Sequence, residues 1–371
     1  MPKIYFPNLN SLRFIAAFLV IIHHVELIKF LLGVESYWKV PAINALGKLG
    51  VILFFVLSGF LITYLLLSEE EKTKTISIKD FYMRRILRIW PLYYLIVFLS
   101  FFVLSRFHIF DIPAWSAHFF EHFSWKLILF MLFLPNLAFI LYPPIPCAFP
   151  AWSVGVEEQF YLLWPVLMKK IKHKEFLLYC IIIGYFLMRT YGFVFIKRYL
   201  LWNSTMDIVS AFFDNFSINS MAIGGLLAYY LFKNHFVLKY LFNRYFQFAV
   251  YGLTFYFLTH GTSISYFNFE IYSILFGIII LNLAANKNSI LHLEYKWLHY
   301  LGSISYGLYL YHPLAILIAI KLLLFFSFSH WLPIYLLSFL LTILLAGLSY
   351  RFYEQYFIRK KIRFTKIPSG D

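Results

Sequence analysis

The sequence predicts an all-α, polytopic integral membrane protein, and two observations carry that prediction. Of its 371 residues 62% are hydrophobic and only 13% charged, and apolar runs of about 17–25 residues, the length that spans a bilayer as a helix, recur from end to end. The basic residues gather in a few connections instead of spreading along the chain. Such gatherings mark cytoplasmic loops.

The apolar segments lie near 12–32, 49–67, 89–105, 125–142, 153–168, 176–196, 216–232, 244–260, 270–286, 303–326 and 331–350. The first is too long for a signal-peptide core and lacks a small-residue cleavage site, so it is expected to stay in the membrane. Three basic stretches set the orientation: 68–90 (Lys72, Lys74, Lys79, Arg84, Arg85, Arg88), 169–175 (Lys169, Lys170, Lys172, Lys174) and the tail from Arg351. Were every segment to cross, the first two stretches would face opposite sides. Reading 125–142 as a re-entrant or membrane-surface segment brings them together, with about ten crossings and both termini cytoplasmic. The connections at 106–124 and 197–215 are too short for a separate domain, so a single membrane domain is expected over 1–371.

The same reading disposes of several function classes. A formal charge of +15 would suit a nucleic-acid binder, but its placement serves topology, so lipids and not nucleic acid are the expected polyanionic surroundings. Cys147 and Cys180 form no CxxC pair and no disulfide framework. Redox chemistry, structural zinc and a bound metal are not expected.

Residues 12–24, Leu-Arg-Phe-Ile-Ala-Ala-Phe-Leu-Val-Ile-Ile-His-His, carry the first functional signal. On a helix Arg13 and His24 lie about 16 Å apart along the axis and only about 20° apart around it. Ionisable groups at hydrocarbon depth are costly and usually functional. One face therefore offers an anion-binding group near one membrane surface and a proton-handling group deep inside. His23, about 80° off that face, is expected to bond locally.

Two further stretches add to it. In Phe81-Tyr-Met-Arg-Arg-Ile-Leu-Arg-Ile-Trp-Pro91, Arg84, Arg85 and Arg88 share a flank of a helix start. Guanidinium groups clustered this way suit a phosphorylated ligand, although lipid headgroups or an orientation signal explain many such clusters. In Trp152-Ser-Val-Gly-Val-Glu-Glu-Gln-Phe-Tyr161, Glu157 shares a face with Phe160 and Tyr161 while Glu158 points about 100° away. A carboxylate facing a buried imidazole would fix its tautomer and make it an effective base, and Glu157 is assigned that role towards His24. His312 precedes Pro313, so a structural bond to a carbonyl freed by the proline competes with catalysis. Ser58-Gly59 reads as a close helix-packing point. Arg189 and Lys321 sit near helix ends and are expected to snorkel.

Taken in order, these stretches resemble the acyltransferase-3 family of bacterial membrane O-acyltransferases. The resemblance runs through Leu12-Arg-Phe-Ile-Ala-Ala17 with His24, Phe54-Phe-Val-Leu-Ser-Gly-Phe60, Arg85-Ile-Leu-Arg88, Val156-Glu-Glu-Gln-Phe-Tyr161, Ile304-Ser-Tyr-Gly-Leu-Tyr-Leu-Tyr-His312 and Ser349-Tyr-Arg-Phe-Tyr-Glu354. Two positions depart from the family's pattern: Gly50-Val-Ile52, where an acid is frequent, and Gly155, where serine is frequent. The resemblance implies transfer of an acyl group, usually acetyl, from cytoplasmic acyl-CoA to a hydroxyl of an extracytoplasmic glycan. It implies a bacterial cytoplasmic membrane location, an acetyl-CoA donor and a glycan acceptor, with partner proteins of a glycan-assembly pathway as further candidates. On it, Arg13, Arg85 and Arg88 fall at donor-binding positions, and His24 and Glu157 at catalytic ones. No appended hydrolase-like domain is expected. A proton-coupled transporter or flippase for an acidic solute or glycolipid would use the same arginines and histidine and is the principal alternative. The other large class of membrane O-acyltransferases, with a late histidine that His312 would imitate, does not account for the opening arginine–histidine pair.

Overall fold

The computed structural model describes residues 4–199, 203–264, 267–328 and 330–367, and its regular elements among them are all helical. Residues 200–202 of the expected 197–215 connection lie outside that set. Six helices among the described residues are long and apolar enough to cross a membrane: Leu9–Leu31, Pro41–Thr73, Ile78–Arg106, Lys174–Tyr199, Ser305–Phe325 and Trp331–Phe364. This is a multi-pass membrane protein.

The elements that matter for the site are α1 (Leu9–Leu31), α2 (Pro41–Thr73), α3 (Ile78–Phe98), α4 (Phe123–Met131), α5 (Pro135–Leu141), α6 (Ala151–Lys170), α7 (Ile218–Phe232), α8 (Ser305–Phe325), α9 (Trp331–Ser349) and α10 (Gln355–Lys361). Segments expected near 216–232 and 244–260 form helices of 15 and 17 residues. The second sits at the lower limit of the length that spans a hydrocarbon layer about 30 Å thick, and the first is slightly below it. The 153–168 segment lies within α6, whose 20 residues include both Glu157 and Glu158.

α2 is the axis of the bundle, and glycine lets α7 touch it. A methyl group added at Gly59 would stand 1.9 Å from the Met221 carbonyl oxygen, and one at Gly224 would stand 2.1 Å from that of Val56. Backbone contact of this kind replaces the missing hydrophobic drive between helices in lipid. The packing role read for Ser58-Gly59 therefore belongs to the glycine alone. Ser58 points to the other side.

The 125–142 segment is broken into α4 and α5, with Phe133 between them at φ 56°. A break inside an apolar bundle frees carbonyls that must find donors. The Tyr93 hydroxyl donates to the Phe130 carbonyl at 2.8 Å, the Tyr94 hydroxyl to Met131 at 3.0 Å, and the Gln159 amide to Phe133 at 2.9 Å. Gln159 also exchanges hydrogen bonds with Asn136. Gly155 belongs to the same joint, because a Cβ there would meet Pro135 Cδ at 2.6 Å. Gly155 is thus the residue that seats α5 on α6.

Arg189 and Lys321 do not snorkel. Arg189 pairs with Glu270 at 3.1 Å, and Lys321 donates to the His108 and Asp111 carbonyls at 2.6 and 2.7 Å. Nearby protein acceptors satisfy both charges. Cys147 and Cys180 are both free thiols.

Gly59→Ala is expected to push α2 and α7 apart, costing about 1–3 kcal/mol as overpacked cores do. A thermal unfolding midpoint in detergent equal to that of the unaltered protein would contradict the contact.

Candidate functional site

The cationic residues singled out by sequence converge at the end of the bundle where α1 begins. Two adjoining cavities of about 840 and 730 Å³ share Arg13, Phe54, Ser58, Arg85, Arg88 and Tyr161 in their walls. Arg13 is anchored by donating to Asn10 Oδ1 at 2.7 Å. The Arg85 guanidinium lies over the Phe81 and Tyr161 rings at 5.7 and 5.6 Å, and its buried Nε has no hydrogen-bond partner among the described residues. Arg84, one residue away and so about 100° round the helix, is turned elsewhere. It donates to Glu69 Oε2 at 3.1 Å and to the Phe364 carbonyl at 2.7 Å. Of the three arginines on that flank, two face the cavity.

The inner cavity continues past Glu157 and Ser153 to Tyr306 and Tyr309. Glu157 accepts hydrogen bonds from the Ser58 hydroxyl at 3.0 Å and the Tyr161 hydroxyl at 2.9 Å. The expectation that its carboxylate orients His24 is not what the geometry gives, since both carboxylate oxygens are engaged at the level of the arginines. Glu158 faces away, accepting from Trp90 Nε1 at 2.8 Å.

His24 has a different partner. Its Nδ1 lies 2.9 Å from Nε2 of His312, with the two rings stacked 17° from parallel at 4.8 Å. Phe149 closes edge-on against His24 at 4.8 Å. His24 keeps 9% of its surface exposed, whereas His312 is fully buried. Nδ1 of His312 has no hydrogen-bond partner among the described residues. Position along the helices explains why Glu157 cannot take this place. Ser153 on α6 and Tyr309 on α8 mark one level, because their hydroxyls lie 2.6 Å apart. Glu157 lies about 6 Å from that level towards the arginines, and His312 about 4.5 Å from it in the other direction.

The imidazole pair and the basic cavity are therefore separate storeys. His24 does not line either cavity. Between them stands the Ser153–Tyr309 pair, with the Tyr309 hydroxyl also donating to the Pro150 carbonyl at 3.1 Å. His23 bonds locally, its Nδ1 3.2 Å from the Ile43 carbonyl oxygen and its ring against Trp38 at 4.7 Å. The sequence undervalued His312, because residues nearly 290 positions apart meet only through the packing of α1 on α8. Its one visible signal was a histidine at mid-helix beside a proline.

A family model described as an acyltransferase domain matches residues 6–351. The chain is similar to the peptidoglycan O-acetyltransferase OatA of Listeria monocytogenes, at 31% identity over 48% of this chain and 27% of the relative. It is similar to the O-acetyltransferase OatA of Staphylococcus aureus at 28% identity over 96% of this chain and 58% of the relative. A putative O-acetyltransferase of Staphylococcus aureus is 27% identical over 97% of this chain and 58% of its own length. The chain thus spans less than two thirds of the length of these relatives. No solved structure matches.

Removing one guanidinium tests the cavity directly. If the cavity takes the acetyl-CoA that the resemblance implies, Arg85→Ala is expected to weaken its binding about 10- to 100-fold, the loss of one or two charge-assisted hydrogen bonds. Arg85→Lys should recover only part of it, since lysine cannot bind phosphate bidentately. Equal affinity of the alanine variant and the parent, by titration calorimetry, would remove Arg85 from the site.

Proposed function

The chain belongs to the acyltransferase-3 family, and from that premise we propose that it is a membrane O-acetyltransferase. In this reading it takes an acetyl group from acetyl-CoA and delivers it to a hydroxyl of an extracytoplasmic glycan, such as a surface polysaccharide or peptidoglycan. The observation that carries the reading is the alignment of the basic cavity with the imidazole pair along α1. Arg13, Arg85 and Arg88 wall the cavity, and His24 with His312 stands about three turns further along the same helix.

The topology follows the positive residues: the arginine end faces the cytoplasm, about ten segments cross, and both termini lie inside. The host membrane is the bacterial cytoplasmic membrane, and 1–371 acts as one domain. The donor's phosphates dock among the arginines, and the pantetheine arm extends towards Ser153 and Tyr309. Reaching His24 requires the Tyr309 side chain to swing off Ser153 and Pro150, so the thioester itself opens the passage. Glu157, hydrogen-bonded by Ser58 and Tyr161, acts at donor level by holding the wall of that passage in register with Arg85.

Chemistry falls to the histidines. When Nδ1–H of His24 donates to Nε2 of His312, the lone pair of His24 Nε2 is left free as a base. It removes the acceptor hydroxyl proton as the oxygen attacks the thioester carbonyl. The carbon–sulfur bond breaks, and the proton passes to the departing thiolate. His312 supplies what the carboxylate was expected to supply, a fixed tautomer, but from a neutral ring.

His24→Ala should lower acetyl transfer about 10²–10⁴-fold, the usual worth of a general base, with acetyl-CoA affinity unchanged. His312→Gln, which still offers an acceptor to Nδ1–H, should retain more activity than His312→Ala. The assay follows radiolabelled acetyl from acetyl-CoA into a glycan acceptor, with protein reconstituted in vesicles. Undiminished transfer by His24→Ala would defeat the proposal, and solute movement without acetyl transfer would favour a transporter.

Orientation has its own check. Single cysteines placed at Lys74 and Lys360, in a background lacking Cys147 and Cys180, should both resist a membrane-impermeant thiol reagent added outside intact cells. Labelling of either one would overturn the assigned sidedness.

A further inference from the structure

The cavity at the basic end has a fourth cation, supplied by the C-terminal arm. Lys361, the last residue of α10, lines it together with Arg13, Arg85 and Arg88, and no aspartate or glutamate is among its described lining residues. The arm that presents Lys361 is fastened to α3 on both sides of it. Before it, the Tyr353 hydroxyl donates to the Pro91 carbonyl at 3.2 Å. After it, Arg84 donates to the Phe364 carbonyl at 2.7 Å, and Lys366 pairs with Asp80 at 3.4 Å. Ile367 is buried beyond them. Lys361 is half-buried, whereas Arg359 and Lys360 on the same short helix are exposed.

Charge and position together indicate what this lysine meets. A CoA thioester carries two phosphate groupings, a diphosphate in line with the pantetheine arm and a phosphomonoester on the ribose. The diphosphate has to follow the arm inwards, where planar, forked guanidinium groups suit it. The phosphomonoester stays with the nucleoside at the mouth and carries about −1.5 to −2 charges at pH 7. Lysine is a compact point charge with three donors, suited to a terminal phosphate approached from one side.

We propose that Lys361 recognises the ribose 3′-phosphate of the donor, so that the C-terminal arm makes the cavity selective for CoA over its dephosphorylated form. The proposal rests on the acetyl-CoA reading above.

Its test is equilibrium binding of acetyl-CoA and 3′-dephospho-acetyl-CoA to the full chain in detergent. The unaltered protein should bind acetyl-CoA about tenfold more tightly than the dephospho form, the worth of one charge-assisted contact. Lys361→Ala should bring the two affinities together by weakening acetyl-CoA alone. Lys361→Arg, which keeps the charge, should preserve most of the preference. An alanine variant with the preference intact overturns the assignment, as does an unaltered protein that shows no preference. Failure to bind either nucleotide would instead strike the donor reading itself, and with it this one.

Discussion

Holding guanidinium groups inside an apolar bundle is expensive, and the basic end of this protein is built around that expense. A buried N–H without an acceptor costs about 1–3 kcal/mol, and Arg85 Nε is in that condition. Aromatic faces from Phe81 and Tyr161 offset part of it, and Asn10 steadies Arg13. What remains is an Arg85 guanidinium held in place by its neighbours with its Nε–H still to be satisfied. Preorganisation of this kind converts packing stability into ligand affinity. It also explains why α2 approaches α7 by bare backbone at Gly59 and Gly224. With that side of α2 tightly closed, its opposite side, carrying Ser58, is free to wall the cavity.

The Ser153–Tyr309 layer gives the two storeys different environments. Below it the cavity walls carry Arg13, Arg85 and Arg88. Above it the imidazoles sit among Phe149 and the aliphatic side chains that pack around α1 and α8. A permanently open passage would join the two faces of the bundle by a polar route. The hydroxyl pair that bridges α6 and α8 closes that route, and in the proposed mechanism a donor arm competes for its place. The interaction broken is modest, about 1 kcal/mol per neutral hydrogen bond, so donor binding has ample free energy to break it.

Much of this was legible in the sequence, and what was missed was missed for identifiable reasons. Arg13 and His24 share one helix, so their alignment follows from helical geometry alone. Arg85 and Arg88 were legible by the same rule, and so was the divergence of Glu158 from Glu157. Charge placement suggested that 125–142 is re-entrant or lies on the membrane surface; that it is broken into two helices was not visible, because Tyr93, Tyr94 and Gln159 come from α3 and α6 to satisfy the freed carbonyls. The carboxylate expected beside His24 was misplaced because helix register between α1 and α6 is a tertiary quantity. Lys361 lay in a basic tail where nothing but folding could distinguish it from Arg359 and Lys360.

In the proposed mechanism, His312 in place of a carboxylate changes the character of the base as well as its partner. A carboxylate beside an imidazole raises its proton affinity by stabilising the imidazolium, whereas a neutral ring can only accept the Nδ1 proton and fix the tautomer. A neutral partner gives the protonated ring no opposite charge to rest against. That suits a step in which the proton taken from a hydroxyl must pass on to a thiolate before the coenzyme can leave. It suits less well an imidazolium that has to persist. Within the proposed mechanism this favours direct, concerted transfer, in which charge on His24 is transient, over a scheme that parks a proton on the ring between two half-reactions.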